Sequence, residues 1–226
     1  MKYIKIYSLL SIVVFCSSCE MGEQDNYDEP NGRIYGTVTD NLTNEPFQSE
    51  QPNGYQVIME EKNENIPIKF WGKPEGTFEN AWIFQDDYNV YLEGAFFPVD
   101  PINVTVGSGT EVDFTVTPFI AVTDVSVQAS SGKITSSYQI ARSQAGDKIS
   151  ELKTLVSDVP TVNNAVFVAS KETNVSGISD EEILTTSFTD EVTGLNPGVY
   201  YVRIAARTQN TLNRYNYSKV FQVTVQ

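Results

Sequence analysis

The sequence predicts an all-β protein in which two β-sandwich domains follow one another in tandem. Three observations predict it. Runs of four to nine residues alternate apolar with polar side chains, Gly, Pro, Asn or Asp punctuate the runs, and no window sustains a 3.6-residue period. The 226 residues suffice for two domains of about a hundred each. With 40% apolar and 12% aromatic residues, both can bury a core.

Residues 1–18 read as an export signal. Lys2 and Lys5 precede the apolar run 6–15 (IYSLLSIVVF), which as a helix is ~15 Å long against a ~30 Å hydrocarbon core, too short to span. Ser17-Ser18-Cys19 resembles a bacterial lipobox, which implies lipidation at Cys19. Lipidation at Cys16 would put bulky Phe15 where a small residue belongs. Two acyl chains, at ~0.8 kcal/mol per buried methylene, make a stable membrane anchor. Residues 19–31 are then a tether, since 20–30 (EMGEQDNYDEP) carry five carboxylates and no base and cannot collapse. An acidic stretch just after a lipidated cysteine resembles the surface-export signal of Bacteroidetes outer-membrane lipoproteins. It implies a protein held at the outer membrane and facing outward.

The first sandwich is expected over residues 32–119. Its opening alternates Ile34, Gly36 and Val38 before a polar turn at 40–44, and further strand runs lie at 53–61, 66–73, 75–84, 86–94, 102–107 and 111–119. The order is an Ile-x-Gly-x-Val-x-Asp strand, a turn ending in Pro46, a second strand, Gly76-Thr77-Phe78, then Tyr88-x-Val90-x-Leu92. This resembles the carboxypeptidase-regulatory, or transthyretin-like, sandwich. The resemblance implies that Phe78, Tyr88, Val90 and Leu92 point inward and Tyr91 and Glu93 outward.

The second sandwich is expected over residues 120–226, with strand runs at 124–129, 134–142, 165–171, 183–190, 199–207 and 219–225. Residues 147–160 fit a short helix, through Ile149, Leu152 and Val156, as well as they fit a strand. Leu195-Asn196-Pro197-Gly198-Val199-Tyr200 resembles the fibronectin type III entry into strand F, where a tyrosine hydroxyl closes on nearby backbone. Period two selects Tyr200, Val202, Ile204 and Ala206 as its buried face and leaves Tyr201, Arg203 and Arg207 outside.

Composition narrows the function. Histidine is absent and both cysteines lie in the first nineteen residues, which excludes His-based nucleophile activation, His/Cys zinc sites, haem and iron–sulfur ligation. A formal charge of −14 has the wrong sign for nucleic acid. Residues 31–119 hold 14 acids and 4 bases, whereas 120–226 hold 10 and 9. Asp86-Asp87 would face opposite ways on a strand, and Asp180-Glu181-Glu182 reads as an exposed turn, so neither forms a glycosidase pair. Asp40, Asn41, Asn44 and Glu45 are explained by their turn without a calcium ion. No catalytic residue, metal or cofactor is expected.

The segments NYDEPNGRIYGTVTD, QPNGYQVIMEE, EGTFENAWIFQDDYNVYLEGAFFP and VDFTVTPF, with the lipobox, are similar to one Bacteroidetes lipoprotein family of unknown function, most strongly over 26–119. Its members accompany SusC/SusD-like importer pairs of polysaccharide-utilisation loci. The resemblance implies an accessory, non-catalytic glycan-binding protein at the cell surface, or alternatively an assembly protein of the importer without sugar affinity.

Pyranose rings stack on exposed indoles or phenols while polar neighbours bond their hydroxyls. The loop at 208–217 concentrates such residues, and Asn213, Arg214, Tyr215, Asn216 and Tyr217 are expected to contact sugar. Trp71, at a strand end beside Gly72-Lys73-Pro74, is the other candidate. Trp82 lies four residues after Phe78 on the same nominal strand face and is expected in the core. Phe96-Phe97-Pro98 is expected as a wedge between the sandwiches.

Overall fold

Sixteen strands and one short helix make up the described part of the chain, a computed structural model that describes residues 29–61 and 66–226. The export signal, Cys19 and the tether up to residue 28 lie outside the described residues. Asn31–Gln226 forms one compact unit.

The first eight strands are β1 (Gly32–Asp40), β2 (Gln56–Glu61), β3 (Ile68–Trp71), β4 (Thr77–Ile83), β5 (Asp87–Glu93), β6 (Ile102–Thr105), β7 (Thr110–Glu111) and β8 (Phe114–Val116). One sheet has the order β4-β1-β7 with β8 also on β1, the other β3-β2-β5-β6. Alternation sets which face each strand buries. Ile34 and Val38 of β1, Val57 and Met59 of β2, Phe78 of β4, and Tyr88, Val90 and Leu92 of β5 meet in one core. The expected inward residues are therefore inward, while Glu93 is exposed and Tyr91 is half-buried with its hydroxyl on Glu60.

The run 111–119 is not one strand. It pairs with β1 in parallel twice, as β7 opposite Ile34–Tyr35 and as β8 opposite Val38–Asp40, and between them the chain crosses over Gly36. A Cβ at Gly36 would lie 1.7 Å from the Val112 carbonyl oxygen, so only glycine admits that crossing.

The remaining strands are β9 (Ala121–Ser130), β10 (Lys133–Ala141), β11 (Ile149–Ser157), β12 (Ala169–Thr173), β13 (Ser187–Thr193), β14 (Gly198–Thr208), β15 (Asn216–Tyr217) and β16 (Phe221–Val225). They form a β13-β10-β9 sheet facing a β12-β11-β14 sheet that β15 and β16 extend along β14. The ambiguous segment 147–160 is strand, as β11. Leu152, Thr154, Leu155, Val156 and Ser157 are all buried, because loop 158–168 packs on the outside of this sheet, and burial on both faces erases the period-two signal. The Tyr200 hydroxyl donates to the Asn196 carbonyl at 3.1 Å, closing the entry to β14.

Two local expectations change. The run 165–171 becomes strand only from Ala169, after a tight turn in which Asn163 and Val166 bond each other's backbone. Asp180-Glu181-Glu182 is no turn: it opens the helix α1 (Asp180–Thr185), capped by Ser179, whose hydroxyl accepts from the Glu182 amide at 3.2 Å. Three carboxylates in the first turn complement the positive end of the helix dipole.

Candidate functional site

The residues expected to bind sugar are mostly engaged inside the protein, at the joint between the sandwiches. Arg214 lies over the Trp71 ring, 5.3 Å from its centroid, and donates to the Glu93 carbonyl at 2.7 Å. Asn216 is buried and donates to the Ala95 carbonyl at 2.8 Å. Tyr217 is 5% exposed and donates to the Glu50 carboxylate at 2.8 Å. Tyr215, 6% exposed, donates to Glu151 at 2.6 Å beneath the cations of Lys153 and Arg207. Only Asn213 remains exposed, with its side chain accepting from Arg207 at 3.1 Å. Tyr215, Asn216 and Tyr217 are thus no stacking platform. Their loop folds back over the outer face of β14 and closes a small core with Leu155, Val162 and Ala205.

The same joint corrects Arg203. It does face out of the second sandwich, but it is 3% exposed, because that face is covered. Its guanidinium donates to Ser218 and Gln48, and sits 4.5 Å from the Tyr217 ring centroid. Phe96-Phe97 divides its labour: Phe96 is buried against Phe47 in the first core, whereas Phe97 packs edge-on against Phe119 at 5.1 Å.

Burial dominates the electrostatics here. It raises the Glu50 carboxyl above its ordinary value, opposed by the Tyr217 hydrogen bond and the Arg203 charge. It raises the Tyr217 hydroxyl, with the Glu50 charge adding to the effect, and lowers Arg203 to about 10, which leaves the guanidinium charged at neutral pH. A carboxyl raised on folding costs stability above its folded value, and that cost is relieved as pH falls through the folded value toward 4.5. The native protein should therefore gain stability relative to Glu50→Gln across that window. Thermal melts at stepped pH check this; a flat or opposite difference would remove Glu50 as the titrating group.

The exposed aromatic surface lies instead on β4, at a residue expected in the core. Gly32 pairs with Ile83 and Ile34 with Asn80, so Ala81 and Trp82 together oppose Arg33. This is a β-bulge, and the extra residue reverses the parity of everything after it. Ile83 takes the buried position that Trp82 would have held, and Trp82 is 74% exposed. The Asn80 side chain steadies the bulge by accepting from the Trp82 amide at 3.0 Å. Phe84, 50% exposed, follows, and Gln85 donates to Asn31 at 2.9 Å. A bulge is not readable from an alternating pattern, but the apolar pair Trp82-Ile83 breaking the alternation of β4 was its available sign.

Arg33, Tyr35 and Thr37 continue the exposed or half-exposed row along the outer face of β1. The Arg33 guanidinium lies 4.7 Å from the Tyr35 ring centroid and pairs with Glu79 at 2.7 Å. Indole, phenol, amide and carboxylate groups thus share one open face. It can stack sugar rings and bond hydroxyls, and it offers no desolvated acid for catalysis.

A cleft of about 520 Å³ lies between the sandwiches, bordered by Asp40, Glu45, Gln48, Asp124, Lys219 and Phe221. Asp40 is occupied there by the backbone amides of Leu42 and Thr43. Asp86 accepts from the Asp87 amide at 2.7 Å in the bend before β5, and Asp87, at the start of β5, accepts from the hydroxyl of its β6 partner Thr105 at 2.6 Å. Among the described residues, no three His, Cys, Asp or Glu side chains gather where they could hold a metal ion.

Solved structures share this architecture. A DUF3823 family protein from Bacteroides uniformis aligns with a TM-score of 0.76 at 25% identity, covering 87% of this chain and all of its own. A second Bacteroides uniformis protein, put forward as carbohydrate-binding, aligns with a TM-score of 0.71 at 22% identity over 87% of this chain and all of its own. A DUF3823 family protein from Parabacteroides merdae gives 0.72 at 18% identity, over 88% of this chain and all of its own. No curated protein sequence matches. The first sandwich, residues 32–117, matches the family described as protein of unknown function (DUF3823), N-terminal domain.

Proposed function

We propose that this chain is a non-catalytic glycan-binding protein, anchored through Cys19 at the outer membrane and facing outward. There it would hold oligosaccharide for a SusC/SusD-like importer. The observation that carries the glycan reading is Trp82, whose ring is presented to solvent by a bulge and flanked by hydrogen-bonding side chains. A sugar face that covers an exposed indole removes apolar surface of both from water, while the polar groups at the rim bond the sugar hydroxyls. The sheet orders fit a carboxypeptidase-regulatory-like sandwich followed by a fibronectin type III-like one. The reading also agrees with the Bacteroides uniformis protein put forward as carbohydrate-binding. Tethering would make weak intrinsic affinity sufficient, since co-localisation raises effective concentration.

Calorimetry and affinity electrophoresis of the purified chain against a polysaccharide panel test this. Trp82→Ala should weaken binding about tenfold, equivalent to ~1.4 kcal/mol, and leave thermal stability within ~0.5 kcal/mol, as expected of an exposed position. Equal binding by the variant would move the site elsewhere. A second reading, assembly with the importer, is favoured by the exposed apolar residues Val159, Val166, Phe167 and Val168 on loop 158–168. A stoichiometric complex with importer proteins, formed by a chain with no sugar affinity, would select it.

A further inference from the structure

Resting on the glycan reading, we infer that the Trp82 face takes uncharged polysaccharide laid lengthwise along β1, and turns away chains bearing uronate or sulfate. The argument is one of shape and charge. Arg33, Tyr35 and Thr37 alternate with buried Ile34, Gly36 and Val38, so they stand in one row on the outer face. At ~3.3 Å per residue that row is ~13 Å long, and the Ala81-Trp82 bulge opposite Arg33 extends it at one end. Trp82 at one end is 74% exposed and Thr37 at the other is exposed, so both ends of the row face solvent among the described residues. Recognition of a chain terminus needs a pocket that closes around it, whereas an open strand face can only meet the repeating rings of a longer chain.

The charges on this face are arranged against anions. Glu79 and Glu111 flank Tyr35, one from each neighbouring strand. Arg33 and Lys73 are both directed at Glu79, at 2.7 and 3.9 Å. Glu111 and Asp113 have no cation partner among the described residues. Asp113 accepts from the Thr37 amide and hydroxyl at 2.8 and 2.6 Å, which holds its carboxyl below the ordinary value and keeps it ionised. The excess of 14 acids over 4 bases across residues 31–119 adds a negative field behind the face. Ionised carboxylates are strong acceptors for the hydroxyls of a neutral sugar and repel a sugar that carries its own negative charge.

The experiment is affinity electrophoresis of the full chain through gels containing hydroxyethylcellulose, galactomannan, arabinoxylan or glycogen as neutral probes, and polygalacturonate or chondroitin sulfate as anionic ones. Retardation by at least one neutral probe, reduced about tenfold in apparent affinity by Trp82→Ala and by Tyr35→Ala, with no retardation by the anionic pair, is the expected result. Retardation by polygalacturonate or chondroitin sulfate that Trp82→Ala abolishes would overturn the charge inference and leave the glycan reading standing. No retardation by any probe would overturn both. Neutral retardation indifferent to Trp82 and Tyr35 would overturn this face as the site. In the double variant Glu111→Lys and Lys73→Glu the total charge is kept while the sign beside Tyr35 changes. It should begin to retain polygalacturonate at low salt and release it near 0.1 M, where the screening length is ~10 Å; no such gain would also overturn the charge argument.

Discussion

Asp190→Ala is expected to lower the free energy of unfolding by about 3–5 kcal/mol. Asp190 is 2% exposed, on β13 inside the second sandwich. Its carboxylate accepts from three hydroxyls: Tyr138 at 3.0 Å, Thr154 at 2.8 Å and Thr173 at 2.5 Å. Tyr138 belongs to β10 in the same sheet as β13, but Thr154 and Thr173 belong to β11 and β12 of the opposite sheet. One side chain therefore ties four strands across the sandwich. Ser136 extends the network through its hydrogen bond to Thr154 at 2.8 Å. Burial and the Asp190 charge both raise the Tyr138 hydroxyl above its ordinary value, so it stays a donor.

Alanine would take the acceptor from the buried hydroxyls of Tyr138 and Thr154 and from the half-buried one of Thr173, leaving Thr154 only its Ser136 partner. Asparagine should cost less, because its carbonyl still accepts and the threonine hydroxyls can rotate to accept from its amide. The measurement is the urea midpoint of both variants. A shift without change in slope, larger for alanine than for asparagine, is expected. A loss under ~1 kcal/mol for alanine would mean that the hydroxyls find other partners, and that the network contributes little.

The strands with one wet face could be read residue by residue. Phe78, Tyr88, Val90 and Leu92 lie where alternation and turn order put them, because a strand between core and solvent must alternate to fold. The same rule fails wherever something else covers the outer face. β11 lost its period because loop 158–168 covers it. Arg203 lies on the side that period two assigned, yet it is buried by residues 155 positions away in sequence, at Gln48. The candidate site suffered both failures at once. The 208–217 loop has the composition of a binding surface, but composition does not say that Glu50 and Ala95 of the first sandwich occupy Tyr217 and Asn216. Trp82 has the composition of a core residue, and a single inserted residue turned it outward. The helix α1 was legible in principle: Ser179 followed by Glu182 is a capping pattern, here obscured by three acids that also suit a turn.

Arg203→Ala is the second large effect, again about 3–5 kcal/mol, because it removes one partner from a buried charged cluster. The guanidinium donates to the Ser218 carbonyl at 2.8 Å on its own side of the joint and to the Gln48 side chain at 3.3 Å on the other. It also lies against the Tyr217 ring and offsets the Glu50 charge. Alanine would leave a cavity and an unpaired Ser218 carbonyl, and Glu50 would keep its Tyr217 hydrogen bond but lose the Arg203 charge. Methionine fills the volume without the charge, so Arg203→Met should recover part of the loss, and Arg203→Met with Glu50→Gln more of it, since the two substitutions together remove both interacting charges. The two substitutions should therefore be non-additive, with a coupling of about 0.5–3 kcal/mol. A further readout separates the joint from the β14 core. Hydrogen exchange at Gln48–Glu50 should speed up in Arg203→Ala, while β4 and β5 keep their protection, because those strands bury their side chains in the first core and touch none of the affected groups. Equal acceleration throughout the first sandwich would mean that the joint holds that domain folded, and not merely in place.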